Sequence, residues 1–309
     1  MPGIHHPSPP ASHPGVWAGA AAACVLVLLM VSGFVLGTEP GQRVDSLMRL
    51  NALQTDHPLP DLNPENRWIA VFVLAPPLLI AAALTWQLRA WRAGITAAAV
   101  IAGSNITTQL IKLIWTERPE LIDEPHGWTG NSLPSGHTTM AASAAVAIFL
   151  IAPPRHRPAA GVLAAAWAGG WGAYIYIEAW HRPSDMVAAF LVVAAWALAG
   201  GWVILRISPP HRTTEPEVDA DHHIGPSALC WVLGILAILA AGMCFSVAGG
   251  WAGLHEAADG QPWRFAAGIL ISSGPAFLLA GAAITLFASA TPRTAGPHPA
   301  PAAQPSHHE

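Results

Sequence analysis

Lys112, Arg118, Ser135-Gly136-His137 and His181 with Asp185 follow one another along this chain, and their residue types together suit phosphoryl transfer. A phosphate ester is anionic. Lysine neutralises its non-bridging oxygens, and arginine adds a fork of hydrogen bonds. Pro134-Ser135-Gly136-His137 opens an apolar run, so the backbone N–H groups of Ser135, Gly136 and His137 are expected at a helix N-terminus, aimed at an anion. Gly136 has no side chain to hold that anion off. One histidine can attack phosphorus while a second protonates the leaving oxygen. Asp185 stands four residues after His181, a spacing consistent with one helical face. A carboxylate bonded to one imidazole nitrogen fixes the tautomer and leaves the other nitrogen free to attack. Pro183 suits the first turn of a helix, where its missing N–H costs nothing. Taken singly, each feature has a plainer reading as a helix cap or an interfacial anchor; the combination points to a site.

The elements that must position these residues are membrane helices. Only 10% of the 309 residues are charged and 53% are hydrophobic, against roughly a quarter charged in an ordinary globular chain. The apolar residues fall into long runs, too many for one soluble core. Windows long enough to span a bilayer lie near 16–37, 67–87, 94–115, 136–152, 159–180, 184–207, 227–249 and 265–288. The predicted fold is therefore an all-α polytopic membrane protein of about eight transmembrane helices. Its expected organisation is a disordered tail over 1–15, a six-helix core over 16–207, a cytoplasmic linker over 208–226, a two-helix extension over 227–288 and a disordered tail over 289–309. The first run lacks a basic leader and a small-residue cleavage site, so it reads as a retained span.

Arg89, Arg92, Arg155, Arg157, Arg206, Arg212 and Arg293 occupy one set of connections. The positive-inside rule then puts both termini in the cytoplasm of a plasma-membrane protein. Lys112, Arg118, His137, His181 and Asp185 come to the opposite, outer face, although they are far apart in sequence. Ionisable groups are costly at a membrane, and their convergence on one face is what a site requires. In the segment 38–66, Val44, Leu47, Met48 and Leu50 fit either a short amphipathic helix on the outer surface or an irregular solvated loop.

In this arrangement the residues resemble the type 2 phosphatidic acid phosphatase family, integral-membrane relatives of the vanadium-dependent haloperoxidases. The second motif of that family stands complete as Pro134-Ser135-Gly136-His137. The third keeps its histidine and aspartate within Trp180-His181-Arg182-Pro183-Ser184-Asp185. The resemblance spans about 67–207 and implies a six-helix core and a mechanism without metal or cofactor. It implies His181 as the nucleophile that becomes a phosphohistidine, Asp185 as its orienting partner and His137 as the general acid. Lys112, Arg118, Ser135 and Gly136 would hold the phosphate. Two departures stand out. Lys112 and Arg118 are one position closer than usual, and the expected Ser-Arg before His181 is Tyr174-Ile175. Arg182, on the same short loop as the nucleophile, is the candidate to replace the missing charge.

The reaction so implied is hydrolysis of a lipid phosphomonoester or diphosphate, with phosphatidic acid, phosphatidylglycerol phosphate and polyprenyl diphosphate equally compatible. A phosphotransferase of the same fold, or a catalytically silent membrane scaffold, are the alternatives. The expected partners are the lipid substrate and the bilayer. With a net charge of −4 and no basic stripe, nucleic acid is not among them. Cys24, Cys230 and Cys244 lie in apolar runs and read as buried small hydrophobes. Glu178 either reaches the site or snorkels to the interface. Pro76-Pro77 and Gly274-Pro275 read as kinks. The tryptophans, Trp115, Trp128, Trp180 and Trp263 among them, read as an interfacial belt, with Trp128 and Trp180 also placed to touch a lipid tail.

Overall fold

The computed structural model describes residues 14–57, 67–122, 130–207, 221–255 and 261–290. Both expected tails beyond these limits, most of the 208–226 linker and Trp128 lie outside the described residues. Within them the chain is helical, joined by turns and one isolated bridge between Glu117 and Gly130. The helices are α1 Pro14–Gly37, α2 Glu39–Leu53, α3 Arg67–Gln87, α4 Trp91–Ile114, α5 Gly136–Ile151, α6 Arg157–Ile177, α7 Pro183–Ile207, α8 Ile224–Val247 and α9 Pro262–Ala290.

Each apolar window corresponds to one helix, and α2 is the additional one. Six of them, α1, α4, α6, α7, α8 and α9, are long and apolar enough to cross a membrane, as a multi-pass membrane protein requires. The helix that opens with the Ser-Gly-His turn, α5, is apolar but has only 16 residues. Helices α3 and α9 continue through Pro76-Pro77 and Pro275. The three cysteines are free and buried.

Alanine-rich α5 is the centre of the bundle. It packs on α3, α4, α6 and α7; around it α3 meets α4, α4 meets α7, α7 meets α9 and α9 meets α6. Helix α1 lies along α7 and α8 along α9. Lipid tails are as apolar as leucine, so close approach and interhelical hydrogen bonds must hold such helices together. Thr108 and Thr139 share a 3.0 Å hydrogen bond between α4 and α5, and Asn105 donates to Ser143 Oγ at 3.2 Å. At Gly172 the α9 backbone at Ser272 approaches so closely that any side chain would collide with it. At the end of the bundle far from the motif residues, Phe287 takes the edges of Trp17 and Phe149, both with centroids 5.0 Å away.

The other end is closed by α2. Thr38 caps it, accepting from Gly41 N at 3.1 Å. Of the two readings of 38–66 the helix is the one present, but its polar residues turn into the protein. Gln42, Asp45, Ser46 and Asn51 are buried along with Met48 and Ala52. Gln42, Asn51 and the neighbouring Arg49 bond backbone groups of the connecting segments. Gln42 Nε2 donates to Pro119 O and its Oε1 accepts from Leu121 N; Arg49 Nε donates to Ala179 O at 2.9 Å; Asn51 Oδ1 accepts from Gln261 N at 2.6 Å. From the other side, Tyr176 Oη of α6 donates to Met48 O at 2.8 Å inside an apolar cluster.

Tyr176→Phe leaves the Met48 carbonyl buried without this donor. The expected cost is about 1 kcal/mol, read as a lowered thermal midpoint of the detergent-solubilised protein.

Candidate active site

The centre of the site is Asp185, in the first turn of α7 and almost wholly buried. Its Oδ2 faces three donors: Ser132 Oγ at 2.6 Å, His181 Nδ1 at 2.8 Å and the backbone N–H of Arg182 at 3.1 Å. A carboxylate can only accept, so the His181 proton lies on Nδ1 and the lone pair on Nε2. His181 is not on the helix with Asp185, as the spacing suggested; α7 begins at Pro183 and His181 stands in the turn before it. That turn is tight, with Ala179 at φ 53° and Trp180 N donating to Ile175 O. Arg49 of α2 holds it at the Ala179 carbonyl.

His137, in the first turn of α5, lies within electrostatic reach of both His181 and Lys112. Lys112, half-buried in the last turn of α4, also feels Asp185. Both histidines, Asp185 and Lys112 therefore meet where α4 ends, α5 begins, α6 ends and α7 begins. Ser135 is differently employed from the expectation. Its N–H donates to Asp185 O at 3.0 Å, and its Oγ caps α5 by accepting from Thr138 N and Thr138 Oγ1. Of the three N–H groups read as an anion cradle, those of Gly136 and His137 remain, at positions where a helix offers no internal acceptor. A Cβ added at Gly136 would meet only Gln109 Nε2, at 3.7 Å. Packing therefore does not demand glycine there.

Arg118 is brought to the same end but is buried and turned toward α1 and α2. It donates to Val35 O at 3.1 Å and lies 3.7 Å from Asp45 Oδ2. Arg182 is the largest fully buried side chain and donates to Ser132 Oγ at 3.3 Å. Ile175, where the family has arginine, is buried in an apolar cluster with Met48, Ala179, Met186 and Phe190. Glu178 does not snorkel: its side chain is buried and faces His57 Nδ1 at 3.9 Å.

Two residues of the site were not found from sequence. Ser132 precedes the motif with nothing to mark it. Asp45 sits on α2, and its carboxylate accepts from Ser184 N at 3.1 Å and from Ser184 Oγ at 2.7 Å. It thus satisfies an orphan N–H at the start of α7, the helix that carries Asp185. Burial and the negative charge of Asp185 push the Asp45 carboxyl up to about 6, outweighing the pull of Arg118, Arg182 and Ser184.

Residues 93–209 match the family model of the PAP2 superfamily. The resemblance read from the motifs is borne out over this segment. No curated protein and no solved structure matches the chain. The PAP2 segment runs from α4 to the end of α7 and so contains every motif residue named above. It supports phosphatase-type chemistry on a phosphoester. Helix α2, with Asp45, lies outside the PAP2 segment yet bonds directly to it.

Asp45→Asn keeps the shape but removes a charge that the wild type carries only above about pH 6. Inorganic phosphate is expected to inhibit the variant about tenfold more strongly than wild type at pH 7.5. The difference closes at pH 5, where Asp45 is protonated. Inhibition constants measured across that range check the sign.

Proposed function

We propose that this protein is a lipid phosphatase of the membrane, hydrolysing a phosphomonoester or diphosphate through a phosphohistidine. The observation that carries the reading is the 2.8 Å pairing of His181 Nδ1 with a buried Asp185, with His137 within electrostatic reach of His181 and Lys112 within reach of His137 and Asp185. In the first half-reaction Nε2 of His181 attacks phosphorus, and the bond from phosphorus to the ester or diphosphate bridging oxygen breaks. His137 gives its proton to that leaving oxygen, while Asp185 stabilises the positive ring of the phosphohistidine. In the second, water attacks phosphorus, His137 takes a proton from it, and the N–P bond breaks to free inorganic phosphate and neutral His181.

Lys112 and the N–H groups of Gly136 and His137 hold the non-bridging oxygens. Arg118 and Arg182 supply positive charge behind them, Arg182 standing in for the guanidinium that Ile175 lacks. Ser135 contributes by fixing the start of α5 against Asp185. The arginine pattern of the connections favours both termini in the cytoplasm and the site at the outer face of a plasma membrane. A site at the edge of the bilayer favours an amphiphilic substrate, whose tail stays among the helices while the head group reacts.

The test is release of inorganic phosphate from phosphatidic acid and from a polyprenyl diphosphate by purified protein in detergent with excess chelator. Wild type is expected to release phosphate, and His181→Ala to lose at least about a thousandfold in rate. Gly136→Ala is expected to fold with an unchanged thermal midpoint but to lose about tenfold or more in kcat/KM, because its Cβ meets the phosphate and not the protein. A folded His181→Ala chain as active as wild type would refute the mechanism. A folded wild type inactive on both lipids would favour phosphotransfer to another acceptor or a silent scaffold.

A further inference from the structure

Asn105, Gln109 and Lys112 follow one another at helical spacing on α4 and so share one face of it. Asn105 donates to Ile101 O at 2.8 Å and to Ser143 Oγ at 3.2 Å, and Lys112 reaches the charges of the site. Gln109 lies between them. The other polar side chains of the same stretch are spent inside the protein. Ser104 donates to Val100 O at 2.7 Å, Thr107 accepts from Trp196 Nε1 at 3.0 Å, and Thr108 shares its 3.0 Å bond with Thr139. Gln109 is the exception: among the described residues its amide has no hydrogen-bond partner, and the residue is exposed. A carboxamide left idle on a membrane helix is costly, because hydrocarbon offers it neither a donor nor an acceptor.

Its place says what would use it. Gln109 Nε2 is the one contact that a Cβ at Gly136 would make, 3.7 Å away. The space so marked lies at the N-terminus of α5, where the N–H groups of Gly136 and His137 have no acceptor within the helix. An oxygen standing there has to come only about 1 Å closer to the amide than that Cβ to reach hydrogen-bond distance. No protein group fixes the plane of the amide, so rotation about its last side-chain bond turns the N–H groups toward an anion without breaking any bond. Because α4 runs toward the site end, Gln109 stands one turn further into the bundle than Lys112. A neutral donor suits that depth. A second ammonium would have to be stripped of water there, whereas a carboxamide adds hydrogen bonds without adding charge.

We propose that Gln109 is a phosphate ligand, its Nε2 donating to a non-bridging oxygen of the phosphoryl group seated at Gly136, from one turn below Lys112. The inference rests on the phosphatase reading of the site and adds to it a residue that precedes the Lys112–Arg118 motif and belongs to none of the three motifs.

The experiment measures the dissociation constant of inorganic phosphate by phosphorus NMR titration of the purified protein in detergent. It is paired with kcat/KM for a short water-soluble phosphomonoester, in wild type, Gln109→Met and Gln109→Asn. Inorganic phosphate carries neither a tail nor a leaving group, so its affinity reads the contact with phosphoryl oxygens alone. Methionine keeps the length of the side chain without a donor and is expected to weaken phosphate binding about tenfold. Asparagine keeps the amide but withdraws it by one methylene, and a loss of at least about threefold is expected. In both variants kcat/KM should fall by at least as much as the affinity. Gln109→Met breaks no hydrogen bond of the protein, so its thermal midpoint without phosphate should equal or exceed that of wild type. Unchanged phosphate affinity in Gln109→Met overturns the proposal. A fall in kcat/KM without a fall in affinity overturns it too, because the contact is then with the leaving group. A lowered midpoint that accounts for the loss of affinity makes the role structural and has the same result. If wild type binds phosphate but hydrolyses nothing, the phosphatase reading fails and the affinities of the variants still decide the contact. A wild type that neither binds phosphate nor hydrolyses the ester refutes both.

Discussion

A carboxylate buried at the end of a helix bundle must be answered by donors, and Asp185 is answered by three, all on one oxygen. Leaving such a charge unpaired costs several kcal/mol. The chain segments that supply Ser132 Oγ, His181 Nδ1 and Arg182 N are therefore held in place by the need to meet it. The requirement extends further along the backbone, since Asp185 O accepts from Ser135 N and so fixes where α5 starts relative to α7. The position of the Ser-Gly-His turn and the orientation of the His181 imidazole thus have one cause. Asn131 extends the arrangement to α4, donating to Trp115 O at 2.7 Å and accepting from Leu133 N at 3.0 Å.

Helix α2 shows why polarity alone misleads at such a boundary. In a surface helix of a soluble protein the polar face meets water. Here the polar residues meet backbone groups of the connecting segments and helix starts, Ala179 O, Gln261 N and Ser184 N among them, and that demand outweighs hydration of the side chains. Gln42 serves the segment after Arg118, Asp45 the start of α7, Arg49 the turn before His181 and Asn51 the start of α9. The helix therefore works as a polar brace across the site end.

The spans were legible because a run of apolar residues of bilayer length has few other uses, and the motif residues because charges at a membrane edge are costly enough to be informative. What escaped were contacts whose cause lies in another part of the chain. Asp45 looks in sequence like one acid among several in a loop, and only its approach to Ser184 gives it a role. Arg118 reads as a phosphate ligand from its place after Lys112, but its pairing with Asp45 depends on a helix that sequence left undecided. Ser135 occupies its motif position and spends both its N–H and its hydroxyl inside the protein. His181 and Asp185 have the spacing of one helical face, yet Pro183 starts the helix between them and their contact forms across its boundary.

The charges gathered at this end of the bundle nearly balance without an arginine at position 175. Lys112, Arg118 and Arg182 bring three positive charges, Asp45 and Asp185 bring two negative ones, and neutral histidines leave one positive charge in excess. A further arginine at position 175 would have to enter an apolar cluster already filled by Met48, Met186 and Phe190. A phosphate dianion placed in the site as it stands overshoots neutrality by one charge. Low local dielectric magnifies that excess, so a proton must accompany the anion. Asp45, poised near pH 6 beside two guanidinium groups, can take that proton without disturbing the His181 imidazole. Asp45 thus lowers the positive charge of the cluster above about pH 6 and not below it.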